Sequence, residues 1–197
     1  MFGQIDIYLF DQILRGRIPR GSQVLDAGCG NGRNSQYLLD AGYDVFATDV
    51  KPDALGEVMR MAARLNPSLP PTNFRLEPVE TMSFADESMD VVLSIAVLHF
   101  ARDDAGFAAM LQSMWRVLRP AGLLFCRLAS DIGMETRMKR IAGRRQLLPD
   151  GTERYLVDEA CLLDWTKRLG GALLDPLKTT IVQNQRCMTT WVLRKPS

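Results

Sequence analysis

Val24-Leu25-Asp26-Ala27-Gly28-Cys29-Gly30-Asn31-Gly32-Arg33 is the stretch on which the fold turns. A short apolar run empties into three glycines at alternate positions, and the segment that follows, through Tyr37, Leu38 and Leu39, keeps helical spacing until Gly42. The order is strand, glycine turn, helix. Glycine accepts backbone conformations closed to other residues and lets a ligand approach the main chain, so the turn marks a small-molecule site. A dinucleotide fingerprint starting at Gly28 needs glycine or alanine at position 33, where Arg33 stands, and no Lys-Ser or Lys-Thr follows to make a phosphate loop. Nicotinamide dinucleotides and nucleoside triphosphates are therefore disfavoured.

Upstream, Ile5, Leu9 and Ile13 recur at helical spacing, which predicts an amphipathic helix ending near Gly16. Downstream, residues 45–50 read as a second strand, 53–65 as a helix, 66–71 as a proline-rich loop and 74–76 as a third strand. Residues 90–98 are nearly all apolar, as a central strand covered on both faces must be. A helix over 107–118 ends at Pro120 and Gly122, and a strand over 123–128 follows. Strict alternation of strand and helix predicts a parallel, doubly wound sheet with right-handed crossovers. The last third departs from it. Asp150-Gly151 between two apolar flanks signals a hairpin, Asp158 caps a helix running to about residue 169, and residues 173–182 and 188–193 form two closing strands around the polar turn 183–185. The expectation is one domain over 1–197, with an N-terminal helix within 1–20 and a lid or substrate insertion over 129–157.

Composition fits one soluble domain: 197 residues, 47% hydrophobic, 24% charged and a formal charge of +1, which leaves no global field for nucleic acid or anionic lipid. The longest apolar stretch, residues 91–101, is broken by Ser94 and His99 and is far short of a bilayer span. Asp6 and Asp11 interrupt the N-terminal apolar stretch and no basic leader precedes it, so a cytoplasmic location and no membrane association are expected. Cys29, Cys126, Cys161 and Cys187 stand far apart with no CxxC pair, so neither a metal site nor a disulfide framework is expected.

Asp26-Ala27-Gly28-Cys29-Gly30-Asn31-Gly32 resembles the first motif of class I S-adenosylmethionine-dependent methyltransferases, an acidic residue followed by alternate glycines. The resemblance continues through Asp49 at a strand end, residues 80–84, residues 90–100 and Arg116-Val117-Leu118-Arg119-Pro120, and is to the small, single-domain, type 11-like group. It implies a three-layer Rossmann-like methyltransferase fold: a mostly parallel seven-stranded sheet, a terminal antiparallel strand and a small hairpin insertion after the fifth strand. The implied cofactor is S-adenosylmethionine, with S-adenosylhomocysteine as product. Backbone N–H groups of Gly28, Cys29, Gly30 and Asn31 suit its carboxylate, helped by Arg33, while Asp26 suits the ammonium group. Asp49, followed by Val50, stands where the family places the carboxylate that accepts both ribose hydroxyls, or else it caps the next helix. Pro78 replaces the residue that often reads Asp for the adenine amino group, leaving a Val79 N–H and the Glu80 carboxylate, unless Glu80 is a solvated surface residue. Ile95 and Val97 wall the cofactor or serve the core.

Methyl transfer to an acceptor needs alignment and exclusion of water more than a base. His99, the single histidine, falls at the carboxyl end of the fourth strand, where it either deprotonates or positions the acceptor, or is a partly buried ring donating to a backbone carbonyl beside the cofactor. Residues 127–145 carry six basic residues against Asp131 and Glu135, a local charge of +4, which either draws in an acidic substrate or is a solvated helix face. Phe2, Tyr8, Phe10, Met134, Met138 and Tyr155 are candidate acceptor-lining residues. The reading is methyl transfer to a small molecule by direct displacement at the sulfonium methyl, with nucleic acid an improbable partner. Gly30-Asn31-Gly32-Arg33-Asn34-Ser35 also resembles tellurite-resistance methyltransferases, which keeps a metalloid oxyanion among the acceptors. The alternatives are a non-catalytic binding module for the same cofactor with a protein or RNA partner, and an RNA methyltransferase using the basic patch.

Overall fold

A computed structural model describes residues 3–197. Its elements run α1 (Ile7–Leu14), β1 (Gln23–Ala27), α2 (Ser35–Asp40), β2 (Asp44–Asp49), α3 (Pro52–Leu65), β3 (Phe74–Leu76), β4 (Met89–Ile95), α4 (Asp104–Val117) and β5 (Leu118–Ala129). There follow β6 (Lys139–Ala142), β7 (Arg145–Leu147), β8 (Glu153–Tyr155), α5 (Glu159–Arg168), β9 (Ala172–Leu173), β10 (Lys178–Val182) and β11 (Arg186–Arg194). Helix starts are set by local chemistry. Asp6 accepts the Tyr8 and Leu9 N–H groups at the start of α1, Asp103 accepts from Gly106 at α4, and Asp158 accepts from Cys161 at α5, as its position in the sequence predicts. Pro52 opens α3, with Asp53 in its first turn and Arg64 in its last, both favoured by the helix dipole.

The main sheet has the order β10-β11-β5-β4-β1-β2-β3, with the two-residue β9 paired to β11 outside that path. Strands β1 to β5 are parallel, β11 runs antiparallel to β5, and β10 antiparallel to β11. Alternate residues of each strand serve two cores. Leu25, Val92 and Leu124 face Phe107, Leu111, Met114 and Leu162 from α4 and α5, while Val24, Leu93 and Phe125 face Leu9, Leu38 and Val58 from α1, α2 and α3. The result is the three-layer α/β arrangement expected from the alternation, and each fully buried Leu or Phe contributes roughly 1.5–3 kcal/mol to it. The order reverses direction between β1 and β4, so their carboxyl ends splay apart into the crevice where open α/β sheets bind ligands.

Four details differ from the sequence reading. The insertion after β5 is a three-stranded antiparallel sheet, β6-β7-β8, rather than a hairpin alone, although Asp150-Gly151 does turn β7 into β8. No α-helix carries the basic residues of 127–145, and Arg127 lies on β5. That stretch holds a 3-10 turn, Glu135–Arg137, and the β6–β7 pair, because Lys139-Arg140-Ile141-Ala142 is exposed throughout and so has no apolar stripe to bury as a helix, and Gly143 takes φ +56°. The expected strand over 173–182 is broken into β9 and β10 around Asp175-Pro176, since proline cannot donate to a ladder. Strand β4 stops at Ile95, because Ala96 adopts φ +62° and Leu98–Phe100 form a 3-10 turn.

Candidate active site

The glycine turn is anchored to β2 by one carbonyl: the O of Thr48 accepts the N–H groups of both Gly28 and Cys29 at 2.9 Å. Gly28 has φ +79°, and a Cβ there would lie 2.6 Å from Val97 Cγ2 on the loop after β4. The two sides of the crevice thus meet at a position only glycine fits. At Gly30, with φ +53°, a Cβ would meet nothing within 4 Å, so this residue faces open space. Asp49 at the end of β2 spans the turn. One carboxylate oxygen accepts the Gly30 N–H at 2.8 Å and the other the Lys51 N–H at 2.9 Å at the start of α3. Each oxygen keeps a lone pair for a hydroxyl.

These groups open on a cleft of about 610 Å³. Of the residues singled out from the sequence, Gly28, Gly30, Asp49, Val50, Val79 and Glu80 line it, as does Val97. Sequence reasoning missed Lys51, Glu77, Ala96 and Phe100 on its walls, and Arg102, Asp103, Gly106 and Met110 toward α4. The available signal was position: Phe100 lies just past the carboxyl end of the apolar 90–98 run, the edge at which open α/β sheets bind ligands.

The other singled-out residues lie off the cleft wall. Asp26 is buried, accepts the Ser35 hydroxyl at 2.6 Å and is pushed up to about 6, chiefly by burial. Cys29 is buried and its thiol is pushed up by burial, which leaves it unreactive at neutral pH. Asn31 and Arg33 are exposed on the turn, and Ile95 is buried in the core beneath α1. His99 is 6% exposed; burial first, and the charge of Arg154 second, lower it to about 4, so the ring is neutral at pH 7. Its Nδ1 accepts the Ala129 N–H at 3.2 Å, which places the ring proton on Nε2. The ring bonds a backbone group, as one sequence alternative held, but as acceptor rather than donor.

Helix α1 is tied to the turn and to β5 together. Asp6 pairs with Arg127 at 2.7 Å, and its N–H donates to the side chain of Asn34 at 2.9 Å. Tyr8 lies beneath the Arg127 guanidinium and shares a hydrogen bond with Thr180, and with Phe10 it borders a shallow groove of about 320 Å³ on the outer side of α1. Met134 and Tyr155 are buried, and Met138 packs on Ala129, Leu148 and Leu156 under the insertion. Phe2 lies outside the described residues. Ion pairs of Arg127 with Asp6, Arg144 with Asp158 and Arg145 with Glu153 neutralise half of the basic residues in 127–145, leaving Arg137, Lys139 and Arg140 exposed. Among the described residues, no three His, Cys, Asp or Glu side chains form a group suited to a metal ion, and no helix is long and apolar enough to cross a membrane.

Residues 25–126 match the family model described as "Methyltransferase domain". Among curated proteins, the chain is 33% identical over 129 residues to "Uncharacterized methyltransferase YodH" of Bacillus subtilis, covering 65% of this chain and 49% of that one. It is 33% identical over 108 residues to the 2-methyl-6-phytyl-1,4-hydroquinone methyltransferase of a Synechocystis species, covering 54% and 32%. The chain thus spans half or less of the length of these two relatives. Among solved structures, the 1,6-didemethyltoxoflavin-N1-methyltransferase of Burkholderia thailandensis, crystallised with S-adenosylhomocysteine, superposes with a TM-score of 0.71 at 21% identity, over 94% of this chain and 76% of that one. That likeness is one of fold.

Proposed function

The chain belongs to the methyltransferase domain family matched over residues 25–126 and has the fold of class I S-adenosylmethionine-dependent methyltransferases; on that premise we propose that it transfers a methyl group from S-adenosylmethionine to a small-molecule acceptor. One observation carries the reading: the cleft at the reversal of strand order is walled by Gly28, Gly30 and Asp49, the residues that the first two family motifs set against the cofactor. The donor set fits such a ligand. Gly28 and Gly30 present bare backbone, Asp49 is held by two N–H groups with acceptor capacity left for a ribose diol, and Val50, Val79 and Met110 give the cleft apolar wall for an adenine.

S-adenosylmethionine, when bound, would supply a methyl carbon that an acceptor lone pair attacks, with the C–S bond breaking onto sulfur to leave S-adenosylhomocysteine. The protein's contribution is placement. Asp49 and the glycine turn fix the donor end, and Val97 and Phe100 narrow the cleft around it. His99 acts as a neutral ring whose Nε2–H donates, since its Nδ1 lone pair is engaged by Ala129; it orients an acceptor oxygen or nitrogen rather than removing its proton. A small-molecule acceptor is supported by the relatives, whose names specify a phytyl hydroquinone and a didemethyltoxoflavin as their own substrates. We assign the acceptor side to the region between α1, the carboxyl ends of β4 and β5 and the insertion.

Thermal denaturation with S-adenosylmethionine, S-adenosylhomocysteine and NAD tests the reading. A ligand at 100 times its Kd stabilises the native state by about 2.7 kcal/mol, so both adenosyl ligands raise the melting temperature by several degrees and NAD leaves it unmoved. Stabilisation by NAD alone contradicts the proposal.

A further inference from the structure

Strand β8 of the insertion rests on the outer side of the turn that forms the cofactor wall. The Arg154 guanidinium lies 4.9 Å from the centre of the Phe100 ring, and its Nη1 donates to the Glu153 carbonyl at 2.7 Å, which fixes its plane. On either side of it, Arg145 donates to the Ala101 carbonyl at 3.3 Å, and the Tyr155 hydroxyl donates to Asp104 at 2.7 Å while its ring stacks on Phe107 at 4.9 Å. Among the described residues, Arg154 has no carboxylate within ion-pair distance, although its neighbours Arg144 and Arg145 both do. Its guanidinium therefore lies over the aromatic face without an ion pair, with His99 and Asp150 near enough to feel its charge. Phe100 in turn is more than half exposed and lines the cleft.

We propose that Arg154 is a positioning residue for cofactor binding: its contact with Phe100 holds that ring as a wall of the cleft, so that the insertion contributes to affinity for the adenosyl ligand without touching it. The proposal rests on the reading of the cleft given above. Phe100 is exposed to water on the cleft side and loses that water once a ligand covers the ring. The attraction between a cation and an aromatic ring strengthens on such desolvation. Covering of Phe100 by a ligand and strength of the contact therefore rise together, so that removal of the cation is expected to weaken affinity about five- to twelve-fold.

The test is calorimetric titration of S-adenosylhomocysteine into the wild type, Arg154→Gln, Arg154→Lys, Phe100→Ala and the double variant Arg154→Gln/Phe100→Ala. Arg154→Gln is expected to weaken binding about five- to twelve-fold, Arg154→Lys to keep most of the affinity, and Arg154→Gln to have no further effect once Phe100 is removed. That last result separates a role exercised through Phe100 from general damage to the insertion. Wild-type affinity in Arg154→Gln, or losses that multiply in the double variant, overturns the inference while leaving the cleft reading intact. A wild type that does not bind S-adenosylhomocysteine overturns both. Should Arg154→Gln melt too low to titrate, Arg154→Met keeps the aliphatic stem and carries the same comparison.

Discussion

The glycine turn and the insertion lie at the same end of the sheet, and both change direction at glycines with positive φ, yet they are built on opposite plans. Around Gly28 the backbone is pinned by Thr48, crowded by Val97 and flanked by strands buried on both faces. In the insertion, β6 is exposed along its whole length, Gly143 meets nothing within 4 Å, and the segment is held by the small cluster of Leu148 and Leu156 on Ala129, by Tyr155 against α4 and by Arg145 and Arg154 on the turn after β4. A ligand common to a whole family needs a fixed cradle, and the surrounding core supplies it. A surface segment with so few buried contacts is free to vary, and that is where selectivity for an acceptor is most readily carried.

The contrast is sharpest at the two glycines. Gly28→Ala adds both left-handed strain and a clash with Val97, and should abolish binding of S-adenosylhomocysteine by more than about 100-fold and lower stability by about 2 kcal/mol or more. Gly143→Ala, strained but unobstructed, should cost about 1 kcal/mol and leave binding unchanged. Equal effects in denaturation and calorimetry would erase the distinction between the two regions.

The next largest effect follows pH. His99 titrates at about 4 in the folded chain and near 6.5 unfolded, so the unfolded state binds the extra proton between those values. Stability from this group is complete above pH 6.5 and is lost as pH falls toward 4. Asp26 works the other way: its folded value of about 6 lies above the unfolded 3.8, so its contribution is complete below pH 3.8 and is lost as pH rises to 6. His99→Gln, whose amide oxygen can still accept from Ala129, should therefore flatten the acid limb by on the order of 2–3 kcal/mol in urea titrations between pH 6.5 and 4. An unchanged limb would show that the ring is not held neutral by burial.

Smaller effects belong to the insertion. Tyr155→Phe removes one hydrogen bond to the exposed Asp104 and should cost about 1 kcal/mol. Ile141→Thr on β6 should stay within about 0.5 kcal/mol and leave S-adenosylhomocysteine binding untouched, as expected of a side chain 51% exposed and away from the cleft. A large loss of binding there would mean that β6 reaches the ligand.

What was legible in the sequence follows the same division. The glycine turn, the apolar run of β4 and the capping Asp158 are local patterns, and the structure places them as read except that β4 ends at Ile95. Where long-range contacts decide, local pattern misled. Residues 127–145 carry six basic side chains that read either as a draw for an acidic substrate or as a solvated helix face, but no α-helix forms there: Arg127 lies on β5, and β6 pairs with β7. In the site, Asp49 was recognisable from its place at a strand end, whereas Lys51, Glu77, Arg102 and Asp103 reach the cleft only because the parallel sheet gathers four loops at one edge. Asp26 shows the converse. It belongs to the most recognisable motif in the chain, and the fold turns it toward Ser35 rather than into the cleft.

The central claim is that the crevice between β1 and β4 holds an adenosyl ligand through Asp49. Calorimetric titration of S-adenosylhomocysteine into the wild type and Asp49→Ala measures it most directly, beside a denaturation curve showing that the variant is folded. Binding by the wild type, weakened at least about 10-fold in Asp49→Ala as loss of hydrogen bonds to a charged acceptor requires, is the predicted result. No binding by the wild type, or equal affinity in the two proteins, would contradict it.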